Sequence, residues 1–279
     1  MRLLDGKNIK LEKVEELKKE ISSLKRKPGI VVIQVGNDEA SNVYVKNKEK
    51  TALDLGCNFE HIKFEEDTPE DVLLGKIDKL NEDSNVDGII VQMPLPKHLN
   101  TNLIQNRVSY KKDIDGLTDI NAGLLFDNKD SLIPCTPKGI MEMLDYYNIS
   151  VSGKHVVIVG RSELVGRPLM SLMLNNNATV TICHSYTNNM EKITKKADIL
   201  ICAVGKKHII TKEMVRKGAV VIDVGINRED GKLYGDVDFD NVKDKASYIT
   251  PVPGGVGQMT VLSLYQNLLK AYRLNNLDK

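Results

Sequence analysis

Short apolar runs alternate with amphipathic segments along most of this chain. In the segment 11–24 the apolar residues recur with a helical period on one stripe, which comprises Leu11, Val14, Leu17, Ile21 and Leu24. Six runs have the length and composition of buried strands: "GIVVIQVG" (29–36), "VDGIIVQMP" (86–94), "KHVVIVG" (154–160), "ATVTIC" (178–183), "ADILICAVG" (197–205) and "GAVVIDVG" (218–225). Strands that alternate with helices in this way predict an α/β fold built on a doubly wound parallel sheet.

The second half of the chain has the pattern of one nucleotide-binding domain. From about residue 140 to 255 it reads as strand, glycine turn, helix and strand, followed by further helix–strand pairs. The first half has strands of its own, and the polar segment 111–135 is predicted to be a loop-rich connector. We therefore predict an N-terminal α/β domain at 1–139 and a Rossmann-like domain at 140–255, with the last helix, about 256–279, packing back on the first half.

Composition and charge exclude several classes of function. The 279 residues include 39 basic and 38 acidic side chains, and the net charge of +1 favours neither a nucleic acid nor a membrane as partner. The N-terminal segment 1–17 lacks the apolar stretch of an export signal, which predicts a cytoplasmic protein. The four cysteines form no C-x-x-C pair and are predicted to be buried thiols, and the five histidines show no metal-ligand spacing.

The stretch "HVVIVGRSELVGRPLMSLML" (155–174) predicts a strand, a tight turn and a helix that holds a phosphate. Gly160 ends the strand, and Gly166 allows the helix to approach the sheet, so that free N–H groups at the helix start meet a pyrophosphate. The stretch departs from G-x-G-x-x-G because Arg161 and Ser162 follow the first glycine. A purely structural strand–helix turn has a similar sequence, so this loop alone leaves both interpretations open.

The end of the next strand indicates which dinucleotide would bind. An NAD site usually carries an acidic residue there, about 20 residues after the glycine loop, to hold the ribose 2′-hydroxyl. Here the strand ends in "TICHSYT" (181–187), which contains Ser185 but no acid, and Arg161 adds a planar cation nearby. A missing acid together with an added arginine predicts a 2′-phosphate, and therefore NADP as the cofactor.

Candidate chemistry in the first half begins on a predicted helix. The segment 41–56 reads as a helix closed by Gly56, and Tyr44 and Lys48 share one of its faces at a spacing of i,i+4. A tyrosine beside a lysine can stack on an aromatic ligand and transfer a proton. From this stretch alone, a solvated lysine face with a half-buried tyrosine is the more ordinary interpretation.

Two further stretches place polar groups at ends of strands or in turns. In "VQMPLPKHL" (91–99), Gln92 ends a strand ahead of two prolines, and Leu95–Pro96 is a candidate cis bond. In "KKDIDG" (111–116), Asp113 and Asp115 lie in a turn, where a carboxylate can accept two parallel N–H bonds from a heterocycle. A plain Asx-turn is an equally good interpretation of that sequence.

Together these stretches resemble the bifunctional methylenetetrahydrofolate dehydrogenase/methenyltetrahydrofolate cyclohydrolase family. The resemblance runs from about Ser41 to Thr260. It rests on seven short motifs that occur in order: S-x-x-Y-x-x-x-K from Ser41 to Lys48, "VQMPLP", "KDIDG", "PCTPKGI", "GRSELVGRP", "ATVTICHSYT" and "TPVPGGVG". Each motif is short, but seven in order make chance agreement implausible.

The resemblance implies a fold, a site and partners. It implies two α/β domains with a cleft between them, a homodimer, and tetrahydrofolate bound in the cleft against NADP. Tyr44 would stack on the folate rings, Lys48 would be the central catalytic group held by Gln92, and Asp115 would bind the pterin edge. The residues that would line the cofactor site are Gly160, Arg161, Ser162, Ser185 and Ile226, and no metal is implied.

The implied activity is NADP-dependent oxidation of 5,10-methylenetetrahydrofolate to 5,10-methenyltetrahydrofolate, followed by hydrolysis to 10-formyltetrahydrofolate, as in one-carbon metabolism. The alternatives are an NADP-linked dehydrogenase of another small substrate, a monofunctional dehydrogenase without cyclohydrolase activity, and a non-catalytic dinucleotide sensor. The sequence departs from the family pattern at Gln258, where proline is usual, and at Leu117-Thr118-Asp119. The first departure predicts a less ordered loop and a weaker cyclohydrolase.

Overall fold

The computed structural model describes residues 1–276, which form an α/β fold. Its strands are Arg2–Leu3 (β1), Gly29–Val35 (β2), Asn58–Phe64 (β3), Gly88–Val91 (β4), His155–Val159 (β5), Thr179–Cys183 (β6), Ile199–Cys202 (β7), Val220–Asp223 (β8), Asn227–Glu229 (β9), Lys232–Tyr234 (β10) and Tyr248–Ile249 (β11). Its helices are Gly6–Ser22 (α1), Glu39–Asp54 (α2), Glu70–Glu82 (α3), Thr101–Arg107 (α4), Asp119–Phe126 (α5), Cys135–Tyr146 (α6), Gly166–Asn175 (α7), Met190–Thr194 (α8), Phe239–Val242 (α9) and Val256–Asn276 (α10).

The larger sheet has six parallel strands in the order β1-β11-β8-β7-β5-β6. The chain runs from β5 outward to β6 and then crosses back to β7 on the other side of β5, so the sheet is doubly wound as predicted. Strands β5 and β7 are buried along their whole length apart from a partly exposed His155, as a sheet covered on both faces requires. The change of direction beside β5 creates the crevice where α/β sheets usually bind ligands.

The smaller sheet has three parallel strands in the order β3-β2-β4. Its central strand β2 is completely buried, whereas all seven residues of β3 are at least partly exposed. Strand β3 therefore lacks the continuous apolar run that predicted β2 and β4. For that reason the sequence pattern missed it.

Two compact units divide the described residues. The six-stranded unit comprises Met1–Glu12, Leu125–Lys129 and Pro134–Ser263, and the three-stranded unit comprises Lys13–Leu124, Asp130–Ile133 and the chain from Leu264 onward. Helix α10 thus contributes to both units. The domain boundaries inferred from the sequence, 1–139 and 140–255, stay a prediction.

Three predictions about individual segments can be compared with the helices of the structure. The segment 111–135 was expected to be loop-rich, but it contains helix α5 and the start of α6, because apolar residues such as Leu125 are buried there. On the predicted stripe of α1, Leu17 and Ile21 are buried as expected, but Leu11 is exposed, and Ile9 completes the buried face. Gly56 has a φ of +81° immediately after the C-cap of α2, which confirms it as the residue that closes that helix.

The cysteines are all buried, as predicted. Burial raises the pKa of the Cys57 thiol to about 12, which keeps it in the unreactive protonated form at neutral pH. No helix among the described residues combines the length and the apolar character that a bilayer span requires.

Candidate active site

The loop between β5 and α7 has a geometry that only glycine permits at two positions. Gly160 has a φ of +126°, and a Cβ atom on it would lie 2.3 Å from the carbonyl oxygen of Ala203. A Cβ atom on Gly166 would lie 2.3 Å from the carbonyl oxygen of Gly160. The glycines therefore bring the start of α7 against the end of β5, where the free N–H groups of a helix start can meet a phosphate.

A cavity of about 310 Å³ opens at this loop, at the carboxyl ends of the strands. Four of the predicted cofactor residues line it: Gly160, Arg161, Ser162 and Ser185. Ile226, the fifth predicted residue, is outside that lining and lies on the exposed loop between β8 and β9. His184, Val204 and Lys206 also line the cavity, and no pattern in the sequence predicted their contribution.

The turn after β6 presents Ser185 to this cavity. The backbone N–H of His184 donates to the Thr187 hydroxyl, and the N–H of Thr187 donates back to the His184 carbonyl oxygen. The Nδ1 atom of His184 accepts the N–H of Tyr186 at 3.2 Å. These bonds fix a compact turn in which no acidic side chain occurs.

The composition of the cavity fits NADP. The guanidinium of Arg161 is exposed and lies 5.9 Å from the centre of the Tyr186 ring, and Lys206 adds a second cation to the lining. Two cations without a carboxylate at the strand end suit the extra phosphate of NADP, whereas a carboxylate would repel it. Among residues 1–276, no group of three or more His, Cys, Asp and Glu side chains is arranged to hold a metal ion.

In the three-stranded unit, Lys48 and Gln92 form a direct contact. The Nζ atom of Lys48 donates to Oε1 of Gln92 at 3.0 Å, and Nε2 of Gln92 donates to the carbonyl oxygen of Met93 at 2.9 Å. Gln92 follows β4 directly, so the lysine of α2 is fixed at the carboxyl end of this parallel sheet. Because Gln92 is bonded at both ends of its amide, it orients the Lys48 ammonium.

Helix α2 is itself anchored near the site at several points. Asp38 caps it by accepting the N–H of Ser41 at 2.7 Å, and the Ser41 hydroxyl donates to the Met93 carbonyl oxygen at 3.2 Å. The hydroxyl of Tyr265, on α10, donates to the backbone carbonyl oxygen of Lys48. These contacts hold the start of α2 and the backbone at Lys48 in place.

Tyr44 has 59% of its surface exposed, while Lys48, one turn later, is only partly exposed. Lys46 and Lys50 are exposed on other faces of α2, as expected from the sequence. A largely exposed tyrosine beside an oriented lysine gives a ligand ring a surface to stack on. The ordinary interpretation, a solvated lysine face, accounts for Lys46 and Lys50 but not for the bond between Lys48 and Gln92.

The two aspartates of "KKDIDG" have different environments. The Asp113 carboxylate accepts N–H bonds from Gly116 and Thr118 and one from the side chain of Asn121. Asp113 therefore forms the Asx-turn, while within residues 1–276 the Asp115 carboxylate accepts no hydrogen bond. Burial raises the pKa of Asp115, the nearby Lys48 ammonium opposes that rise, and Asp113 adds to it.

Three expectations from the sequence need correction or refinement. The cis bond is Met93–Pro94, and not Leu95–Pro96, because the intrinsic preference is about 1 kcal/mol and the surrounding fold decides the isomer. Gln258 lies in the ordered first turn of α10, where its N–H donates to the Gly255 carbonyl oxygen, a bond that proline lacks. The unusual Thr118 is buried, and its N–H is one of the donors to Asp113.

Comparison with known proteins gives matches over both halves of the chain. The family model "Tetrahydrofolate dehydrogenase/cyclohydrolase, catalytic domain" matches residues 4–115, and "Tetrahydrofolate dehydrogenase/cyclohydrolase, NAD(P)-binding domain" matches residues 134–276. The bifunctional protein FolD of Thermodesulfovibrio yellowstonii is 51% identical over 276 residues, which cover 98% of this chain and 96% of that protein.

Two solved structures extend the comparison to the fold. The bifunctional methylenetetrahydrofolate dehydrogenase/cyclohydrolase FolD from Campylobacter jejuni superposes with a TM-score of 0.96 at 42% identity, covering 98% of this chain and 99% of the other. The Trypanosoma brucei enzyme, in complex with NADP cofactor and an inhibitor, gives a TM-score of 0.90 at 33% identity, with coverage of 97% and 96%.

Proposed function

Because the chain belongs to the tetrahydrofolate dehydrogenase/cyclohydrolase family, we propose that it oxidises 5,10-methylenetetrahydrofolate with NADP and hydrolyses the resulting 5,10-methenyltetrahydrofolate to 10-formyltetrahydrofolate. The observation that carries this proposal is the 3.0 Å bond between Lys48 and Gln92 near the carboxylate of Asp115. A sensor that only bound a dinucleotide would need no such group. A dehydrogenase of another small substrate would need no carboxylate suited to a pterin.

The cofactor half of the proposal rests on the cavity beside β5. When bound there, NADP supplies the acceptor for the hydride that leaves the one-carbon bridge of the folate. Gly160 and Ser162 would approach the phosphates, and Arg161 and Ser185 would hold the 2′-phosphate through charge-assisted and hydroxyl hydrogen bonds. Ile226, which is exposed, would cover the nicotinamide end. In this scheme residues 140–255 bind the cofactor.

The folate half of the proposal assigns residues 1–139 and the last helix to the substrate. Tyr44 offers its ring face for stacking against the folate ring system. The Asp115 carboxylate, which accepts no hydrogen bond from residues 1–276, would accept two N–H groups from the edge of the pterin. This arrangement orients the one-carbon bridge without using the groups that perform proton transfer.

The hydrolytic step needs a group that moves protons beside the attacking water. The methenyl carbon is electrophilic because the ion carries a positive charge over the two nitrogens. Lys48 is the group placed for this role, and Gln92 keeps its Nζ atom aimed at the site. Water adds to the methenyl carbon and loses one proton. The remaining hydroxyl proton then moves to N5 as the bond between that carbon and N5 breaks, which leaves the formyl group on N10, and Lys48 would relay these protons.

We further propose that the enzyme is a cytoplasmic homodimer. Strand β3 is an edge strand of seven residues, each at least partly exposed, and such an edge is a template for pairing with a second copy. Light scattering should give twice the chain mass. Successive N–H groups of a strand point in opposite directions, so of residues 60 and 61 one donates toward β2 and the other points outward, toward a second copy. Of Glu60→Pro and His61→Pro, the variant that removes the outward N–H should yield a stable monomer, and the other should weaken the sheet. A monomeric parent protein would refute the dimer.

The experiment that tests the catalytic proposal follows two signals with the purified protein. NADPH absorbance should rise when methylenetetrahydrofolate and NADP are added together, and the methenyl chromophore should disappear faster than its spontaneous hydrolysis. NADPH formation without faster loss of the chromophore would indicate a monofunctional dehydrogenase. Binding of NADP without either signal would indicate a sensor and overturn the proposed function.

A further inference from the structure

Three consecutive backbone N–H groups converge on one buried carboxylate beside the cofactor cavity. The Oδ2 atom of Asp236 accepts the N–H groups of Val204 at 2.7 Å and Gly205 at 3.0 Å, and its Oδ1 atom accepts the N–H of Lys206 at 2.8 Å. The Asp236 side chain is completely buried. Val204 and Lys206 line the same cavity as four of the predicted cofactor residues. The buried carboxylate therefore holds the backbone of this part of the cavity wall from the protein interior.

These N–H groups have no strand partner because the loop begins where β7 ends. Ala203 donates the last sheet bond of this segment, to the carbonyl oxygen of Val159 at 2.8 Å. Gly205 then has a φ of +71°, a left-handed conformation that turns successive N–H groups toward a common point. Such a concave array is normally an anion-binding nest, and here an internal carboxylate fills it.

Asp236 is also held from its own side. The side-chain amide of Asn227 donates to Oδ1 of Asp236 at 2.9 Å. The backbone N–H of Asp236 donates to Oδ1 of Asp223 at 2.9 Å. A Cβ atom on Gly225 would lie 2.1 Å from Oδ1 of Asp236, so only glycine permits this packing. Asn227 follows Ile226 directly. One carboxylate therefore fixes two loops, the one after β7 that lines the cavity and the one that carries the predicted cofactor residue Ile226.

We propose that Asp236 is a positioning residue of the NADP site, which sets the backbone of Val204–Lys206 and, through Asn227, the loop that carries Ile226. The inference rests on the proposed function, because it assumes that the cavity binds NADP. Since Asp236 fills the nest after β7, the loop at Gly160–Ser162 is left as the place for the cofactor phosphates. Asp236 touches no cofactor atom in this scheme and acts only through the loops that it holds.

The first experiment replaces the carboxylate by an amide. Asp236→Asn keeps one acceptor oxygen and turns an NH₂ group toward backbone donors, so we expect the Kd of NADP to rise about tenfold or more, with folate binding retained. The KM of NADP should rise while kcat at saturating NADP changes little. The matched control is Asp198→Asn in the same unit: Asp198 accepts the N–H of His155 at 2.9 Å and pairs with Arg216, but it does not line the cofactor cavity. The control should lower the melting temperature without changing the NADP affinity.

A second pair of variants leaves the carboxylate intact. Gly205 and Gly153 both have a φ of +71°, and a Cβ atom on either would meet no atom within 4 Å. The two alanine variants therefore impose the same backbone strain at two places in one unit. Gly205→Ala should weaken NADP binding severalfold and Gly153→Ala should not, which keeps the test available if Asp236→Asn fails to fold.

Titration of each variant with NADPH, followed by the NADPH fluorescence, measures the affinity in both pairs of variants. If Gly205→Ala, and Asp236→Asn where it folds, bind as tightly as their controls, the positioning role is refuted and Asp236 only stabilises the unit. Failure of the parent protein to bind NADP would instead overturn the proposed function. The two failures are distinguishable because the first requires a parent that binds.

Discussion

Asp113 and Asp115 stand two residues apart in one turn, and their carboxylates have different partners. Asp113 accepts three N–H groups, from the backbone of Gly116 and Thr118 at 3.0 and 2.8 Å and from the side chain of Asn121 at 2.9 Å, whereas Asp115 accepts none from residues 1–276. The first aspartate builds the turn, and the second is available to a ligand because the first has satisfied the backbone donors.

This difference predicts opposite effects of two alanine substitutions. Asp115→Ala should raise the KM for the folate substrate and lower kcat, while NADP binding and the free energy of unfolding stay nearly unchanged. Asp113→Ala should lower the free energy of unfolding by about 2–4 kcal/mol, because it leaves buried donors without an acceptor. Steady-state kinetics and urea unfolding measure the two effects. Loss of NADP binding in Asp115→Ala, with unchanged folate kinetics, would assign that residue to the wrong ligand.

The raised pKa of Asp115 predicts a pH dependence of folate binding. The pterin N–H groups need an ionised acceptor, so folate affinity should fall as the pH drops through a pKa that burial has moved above the usual carboxyl value. Asp115→Asn cannot ionise and should bind weakly with no such dependence. Folate titrations at several pH values test this, and parallel pH profiles for the two proteins would contradict it.

The orientation of Lys48 predicts that the two activities can be separated. Lys48→Met should lower the cyclohydrolase rate by about a hundredfold or more, the usual contribution of a proton-transfer group, and leave a reduced but measurable dehydrogenase. Lys46→Met, at an exposed position on the same helix, is the control and should change neither rate. The measurement is the loss of the methenyl chromophore, corrected for spontaneous hydrolysis. If Lys48→Met hydrolyses as fast as the parent and loses the dehydrogenase, the assigned role is wrong.

Arg161 predicts the choice of cofactor. Arg161→Ala should weaken NADP binding by about one to two decades and NAD binding far less, since a hydrogen bond to a charged group contributes about 1.5–3 kcal/mol. Arg167→Ala is the control, because that exposed arginine pairs with Glu163 and does not line the cavity. Equilibrium titrations with both dinucleotides give the comparison. Equal losses for NADP and NAD would rule out a 2′-phosphate contact by Arg161.

Asp223 predicts a pH dependence of stability. Burial raises its pKa to about 6, although the N–H groups of Val237, Asp236 and Gly225 oppose the rise. The folded state therefore binds the proton more tightly than the unfolded state. The resulting contribution of Asp223 to the free energy of unfolding is fully present below the usual carboxyl pKa and is lost as the pH rises through about 6. The loss is on the order of 3 kcal/mol for a pKa difference of about two units.

The variant Asp223→Asn should remove this part of the pH dependence. Its absolute stability will differ because an amide replaces an acceptor of three backbone N–H groups, so the slopes must be compared. Urea unfolding followed by circular dichroism between about pH 4 and pH 7 provides them. An identical slope for parent and variant would show that Asp223 does not titrate in this range.

The pattern of apolar runs was sufficient to predict the buried strands of both sheets and the α/β class, because a strand covered on both faces must be apolar along its length. Strand β3 was missed because its residues are partly exposed, and β1 and β11 because they have two residues each. Their pairing depends on partners that are far away in sequence, such as Arg2 with Tyr248.

In the candidate site, too, local sequence patterns predicted some features and could not predict those that depend on distant residues. The spacing of Tyr44 and Lys48 follows from helix geometry, and the glycine at 160 from the tight turn, so both were visible in the sequence. The separate environments of Asp113 and Asp115 were not, because the donors to Asp113 include Asn121, which is fixed only when α5 forms. The contact between Asp236 and Val204 spans 32 positions, and no local pattern indicates it.

Helix α10 belongs to both compact units, and this has a consequence for the order in which the protein is made. The six-stranded unit needs residues up to Ser263, although it also contains Met1–Glu12, which are synthesised much earlier. The three-stranded unit needs the turns of α10 that follow, which include Tyr265, the donor to the Lys48 backbone. Neither unit can therefore be completed on the nascent chain before α10 has been synthesised, and both cores stay partly exposed until this shared helix is available.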